Sequence, residues 1–92
     1  MNTVINQVAP TLDIVKTKAS ELLAERLRID VIEVDMNKKL TSYGLDSIDA
    51  VTMIGDLEDW LDIELPSTLL WDYDTINDVA QFIVENFESL VD

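Results

Sequence analysis

Apolar positions recur at helical spacing in three stretches of this 92-residue chain. In the first, Leu12, Val15, Ala19, Leu22, Leu23 and Leu27 share one stripe, which predicts a helix over residues 11–28. Thr11 stands at the N-cap position, and Asp13 sits in the first turn, where the helix dipole favours negative charge. Arg26 falls inside the apolar stripe, so its charged end must lie near an open edge or snorkel to water. In the second stretch, Ala50, Met53, Ile54, Leu57 and Leu61 give the buried face of a helix over residues 47–61. Asp46 or Ser47 caps it, and Asp49 occupies its first turn. In the third, Ile76, Val79, Ala80, Ile83, Phe87 and Leu90 keep the spacing behind a Thr75 cap, with Asp78 at the third position.

The segments between these helices are less regular. Over residues 29–43 the apolar side chains (Ile29, Ile32, Val34, Leu40) have no period, which predicts a long loop pinned to the core by those four. A strand over residues 31–34 would have no obvious pairing partner. Loops of this length are uncommon in compact domains and often functional. Pro66 biases Leu65 away from helical angles. Residues 67–71 then read as one short helical turn with Leu69, Leu70 and Trp71 directed inward. Residues 1–10 lack a period and read as a loose arm, leaving residues 11–92 as one domain. The expected fold is all-α: an up-and-down bundle of three main helices plus one short helix, with a long loop between the first and second.

Composition removes several kinds of chemistry. At 48% hydrophobic and 27% charged, the chain can bury one small core. It has no cysteine, which excludes disulfides, thiolate metal sites and a cysteine nucleophile. It has no histidine, which excludes Ser-His-Asp catalysis and histidine-based metal binding. A serine hydrolase with Asp46 or Asp49 as base is disfavoured further, because there is no Gly-x-Ser-x-Gly elbow. Asp56-Leu57-Glu58-Asp59 lacks the spacing and turn glycine of a calcium loop. Trp60, Trp71 and Tyr73 read as core or rim residues. No uncharged apolar run approaches the length of a membrane span, and the N-terminus lacks a signal peptide's basic and apolar regions. The expected location is cytoplasmic.

Charge is distributed unevenly. All six basic residues precede Leu40, where six acids balance them, so the net charge of −13 arises entirely from Leu40 onward. Such a surface repels nucleic acid and anionic membranes; it either attracts proteins with basic patches or is a solvated acidic face that only keeps the protein soluble.

One stretch carries the candidate chemistry: Tyr43-Gly44-Leu45-Asp46-Ser47-Ile48-Asp49-Ala50-Val51. Gly44 signals a turn, and the helical pattern starts just after it. Ser47 therefore sits at a helix N-terminus, where amides lack intrahelical partners and the dipole is positive. That environment suits a phosphate attached to the serine. Ile48 and Val51 lie outside the buried stripe and beside Ser47. Either they complete a wide core face, or they form an exposed apolar contact rimmed by Asp46, Asp49 and Glu58. Apolar contacts ringed by charge suit transient docking, which favours the second reading.

With Gly44-Leu45-Asp46-Ser47-Ile48 the sequence resembles the acyl carrier protein family. Leu23-Ala24 and Leu27, the loop anchors Val34 and Leu40, and Leu57-Glu58 extend the match. Leu65-Pro66-Ser67-Thr68-Leu69-Leu70-Trp71-Asp72-Tyr73 with Thr75-Ile76 is similar to the same stretch of polyketide-type carriers. The resemblance covers residues 12–85. It implies that Ser47 accepts 4′-phosphopantetheine from coenzyme A through a phosphodiester. The thiol of that arm then carries acyl groups as thioesters in polyketide or fatty-acid-type biosynthesis, and the chain catalyses nothing itself. Implied partners are a phosphopantetheinyl transferase, an acyl-loading enzyme (an acyltransferase or adenylating ligase), and a ketosynthase or other biosynthetic enzyme, each met by a monomer. Asp46 before the serine favours an acyl over a peptidyl carrier. The initiating Met and the length lean towards a discrete carrier. The competing reading is an unmodified acidic helical interaction module with a carrier-like fold.

Overall fold

Thr11 caps the first helix as its position predicts: its Oγ1 accepts the Ile14 N–H at 3.2 Å. The computed structural model describes residues 10–91, so most of the expected 1–10 arm lies outside the described residues. Helix α1 spans Leu12–Leu27 and closes on Arg28, whose left-handed backbone (φ 59°) turns its N–H back to the Glu25 carbonyl. Helix α2 spans Ser47–Leu61, α3 spans Leu69–Asp72 and α4 spans Ile76–Leu90. Thr75 caps α4 by accepting the Asp78 N–H at 3.1 Å. Among the described residues there is no strand, so the fold is all-α with three main helices and one short one.

The three predicted stripes form one core. Val15, Ala19, Leu22 and Leu23 of α1 meet Ala50, Met53, Ile54 and Leu57 of α2 and Ile76, Val79, Ala80, Ile83 and Phe87 of α4. Helix α1 packs on both α4 and α2. Ile63, Leu65, Leu69 and Leu70 close the bundle between α2 and α4.

The loop over residues 29–43 departs from expectation. It holds two 3₁₀ turns, Val31–Glu33 and Leu40–Tyr43, and no strand at 31–34. Ile32 is not an anchor; it is 86% exposed. Leu40 is the buried anchor, with Val34, Met36 and Tyr43 half-buried around it. The remaining hold is polar. Tyr43 Oη accepts the Asp35 N–H at 2.8 Å and donates to the Asp35 carbonyl at 3.1 Å. The Leu40 N–H donates to the Asp74 carbonyl at 2.7 Å, and the Asn77 N–H to the Met36 carbonyl at 3.1 Å. Those bonds tie the loop to the entry of α4, and no apolar pattern announces them. Trp71 also differs from its expected inward placement: Leu69 and Leu70 are buried but Trp71 is half exposed. Successive helical residues point about 100° apart, so three in a row cannot all face one core.

Candidate functional site

The start of α2 is built by three consecutive backbone devices. Gly44 ends the 3₁₀ turn Leu40–Tyr43 in the left-handed region (φ 80°), where a side chain would be strained. Asp46 follows in extended conformation as the N-cap. Its Oδ1 accepts the Asp49 N–H at 2.8 Å, and Asp49 Oδ2 accepts the Asp46 N–H at 3.3 Å. This reciprocal box satisfies donors that would otherwise be orphaned at the helix start. It decides between the two caps left open by the sequence: Asp46 caps. Ser47 is then the first helical residue, exposed, with its hydroxyl relieved of capping duty.

Asp49 has a second partner. Arg26, near the end of α1, brings Nη2 to 2.5 Å and Nε to 3.2 Å from Asp49 Oδ1. The hydrogen bond to Arg26, aided by the Asp46 N–H, holds the Asp49 carboxyl below the usual carboxylate range. The same bond raises the Arg26 pKa, and the charges of Asp49, Asp46 and Asp56 add to it. This explains a cation inside an apolar stripe: Arg26 crosses the bundle's edge to the Ser47 end of α2. Glu58 is committed as well, since its Oε2 accepts the Leu65 N–H at 2.8 Å and pins the connection that follows α2. The sequence places Asp49 and Glu58 on a charged rim. They also brace the backbone, a duty that spacing along the chain does not reveal.

Ile48 is 73% and Val51 60% exposed, so neither belongs to the core face. Val51 borders an open groove of about 190 Å³ lined also by Ile54, Gly55, Glu58, Leu65 and Ser67. On the other side of the α2 start, Leu40, Leu45, Ala50, Leu70 and Trp71 enclose only about 10 Å³, room for no more than one water. Trp60 is partly exposed with Lys18 Nζ 5.9 Å from its ring, and Tyr73 packs on Phe82 at 5.0 Å between centroids. Both are rim residues. Replacing Ile48 or Val51 with Asp should therefore change stability by no more than about 0.5 kcal/mol. Any loss of partner binding by these variants, read by titration against a partner enzyme, then reports docking alone.

Among the described residues, no cluster of carboxylates is arranged to hold a metal ion, and no helix is long and apolar enough to cross a membrane. The start of α2 thus presents an accessible hydroxyl on a capped helix, in a chain with no histidine or cysteine. Residues 18–83 match the family model described as "Phosphopantetheine attachment site". The chain is 32% identical over 72 residues to an acyl carrier protein of Clostridium perfringens, covering 77% of this chain and 95% of that one. It superposes with a TM-score of 0.78 on a free-standing peptidyl carrier protein from a secondary metabolic pathway of Acinetobacter baumannii. Identity there is 42%, over 83% of this chain and 95% of the other. A 26% match over 69 residues links it to the bikaverin polyketide synthase of Gibberella fujikuroi, covering 75% of this chain but 3% of that protein's length. The chain belongs to the phosphopantetheine-binding carrier family, whose carrier domain is non-catalytic. The residues present fit that group: Ser47 offers an unencumbered hydroxyl at the positive end of a 15-residue helix, where a diester phosphate is favoured.

Proposed function

We propose that Ser47 is the attachment point of 4′-phosphopantetheine, and that residues 11–92 act as an acyl carrier domain in polyketide or fatty-acid-type biosynthesis. The observation that carries this reading is the division of labour at the α2 start. Asp46 does the capping, and the neighbouring serine is left exposed. Attachment forms a bond from Ser47 Oγ to the pantetheine-bearing phosphorus of coenzyme A and breaks that phosphorus's bond to the bridging pyrophosphate oxygen, which leaves with the nucleotide half. The proton goes to a base on the transferase. The arm's thiol supplies the thioester chemistry that a cysteine-free chain lacks. Partners dock on Asp46, Ile48, Asp49, Val51 and Glu58: a phosphopantetheinyl transferase, then an acyltransferase or adenylating ligase, then a ketosynthase or similar enzyme. The carboxylates steer basic faces, and Ile48 and Val51 supply apolar contact.

A second reading has one observation in its favour. The 42% identity to a peptidyl carrier supports an aminoacyl cargo delivered by an adenylating enzyme. The aspartate at position 46 supports the acyl cargo. Mass analysis of the thioester carried in the native host separates them. An acyl group without an amine is the expected result, and an α-amino acid would replace the first reading by the second.

A further inference from the structure

We propose that Arg26 is a specificity-determining residue, occupying Asp49 as an internal stand-in for the basic side chain of a docking enzyme. A partner must then displace it to read the start of α2. The inference rests on the reading of Ser47 as the tether.

Four observations support it. Helix α2 contains no basic residue of its own, and none follows Leu40, so the cation at its Ser47 end is lent by α1. Both contacting nitrogens of Arg26 converge on one oxygen, Oδ1, while Oδ2 stays with the Asp46 N–H. Exchange of one cation for another at Oδ1 therefore leaves the capping box whole. The two side chains retain 33% and 27% exposure, so a partner's cation can reach the pair without unfolding anything. Finally, Asp46 and Asp49 already close the helix start between themselves. Partly exposed ion pairs add little to stability, so the pairing is not needed to make α2 begin where it does.

Arg26 also sits in the field of Asp46 and Asp56, so its charge offsets theirs near Ser47. Removing it should bare Asp49 and strengthen steering of a basic partner. That effect appears in encounter and binding, not in the chemical step, and it fades as salt screens it.

The test is steady-state loading with coenzyme A and a phosphopantetheinyl transferase, the carrier being the varied substrate. At low ionic strength Arg26→Gln should lower KM about three-fold with kcat unchanged, and the difference should close as salt rises above physiological strength. Arg26→Lys should restore the wild-type KM, because a contact to a single oxygen needs a positive charge and not a guanidinium fork. In an Asp49→Asn background most of the Arg26→Gln effect should vanish. An unchanged or higher KM in Arg26→Gln overturns the proposal. So does a fall of the same size with Asn at position 49, which would reduce Arg26 to one charge among many. A lower kcat and melting temperature with KM unmoved would make it a structural brace. If even the wild-type chain gains no mass, the tether reading fails and takes this inference with it. Complete loading of every variant at one KM defeats this inference alone.

Discussion

Incubated with coenzyme A and a competent phosphopantetheinyl transferase, Ser47→Ala should keep the mass of the bare chain while the wild type gains the arm. The loss is expected to be complete, because no other serine repeats the environment. There is no cysteine to serve as an alternative acceptor. Ser20 is 2% exposed in the interior of α1. Ser42 lies within a four-residue 3₁₀ turn, and Ser67 lies in the connection before the four-residue α3. Ser89 is in the last turn of α4, at the negative end of the helix dipole, where a phosphate is disfavoured. Among the described residues, only Ser47 combines an exposed hydroxyl with the first position of a long, capped helix. The fold should not notice the substitution. Its hydroxyl does no capping, so the change in stability should stay within about 0.5 kcal/mol, with circular dichroism and melting temperature preserved. Intact mass and thermal melts read both halves. A variant that still gains the arm would move the tether elsewhere, and one that unfolds would show that Ser47 helps to hold the α2 start after all.

Much of this architecture could be read from the chain, for identifiable reasons. The three long helices bury contiguous stripes, and their caps are short-range devices, so Thr11, Asp46 and Thr75 declare the boundaries within three residues of the bonds they make. The position of Ser47 at a helix start is legible for the same reason: a turn glycine, a cap and a helix start adjoin in sequence. Three things were not legible. The loop over residues 29–43 is held by backbone bonds to Asp74 and Asn77, far along the chain, and Ile32 is left in solvent despite being apolar. Trp71 follows two buried leucines, and three consecutive helical residues cannot share one face, so it turns outward. The partners of Asp49 and Glu58, Arg26 and the Leu65 amide, lie on other elements. Arg26 alone left a trace, since a cation inside an apolar stripe must find something to touch.

Leu57→Ala should be among the most damaging single changes, and the reason lies on the same helix that presents the serine. Helix α2 has two faces with opposite demands. Ile48 and Val51 look outward, and their truncation removes little buried area. Leu57 is 0% exposed and sits where α1, α2 and α4 close around one cluster. Truncating such a leucine removes packed methyl groups and leaves a cavity that the bundle fills only in part, at a cost of about 2–5 kcal/mol. A domain of this size has a total stability on the order of 5–10 kcal/mol. The melting temperature should therefore fall by about 10–25 °C, against a degree or two for Ile48→Ala. The two variants should part in the opposite sense when loading is measured below the lower melting point. Leu57→Ala, still folded there, keeps its exposed face and should be modified at close to the wild-type rate, whereas Ile48→Ala should raise KM. If Leu57→Ala melts near the wild type, α2 does not use this face to join the core. If both variants lose loading equally, the two faces are not separable, and the exposed apolar pair is bracing the helix rather than greeting a partner.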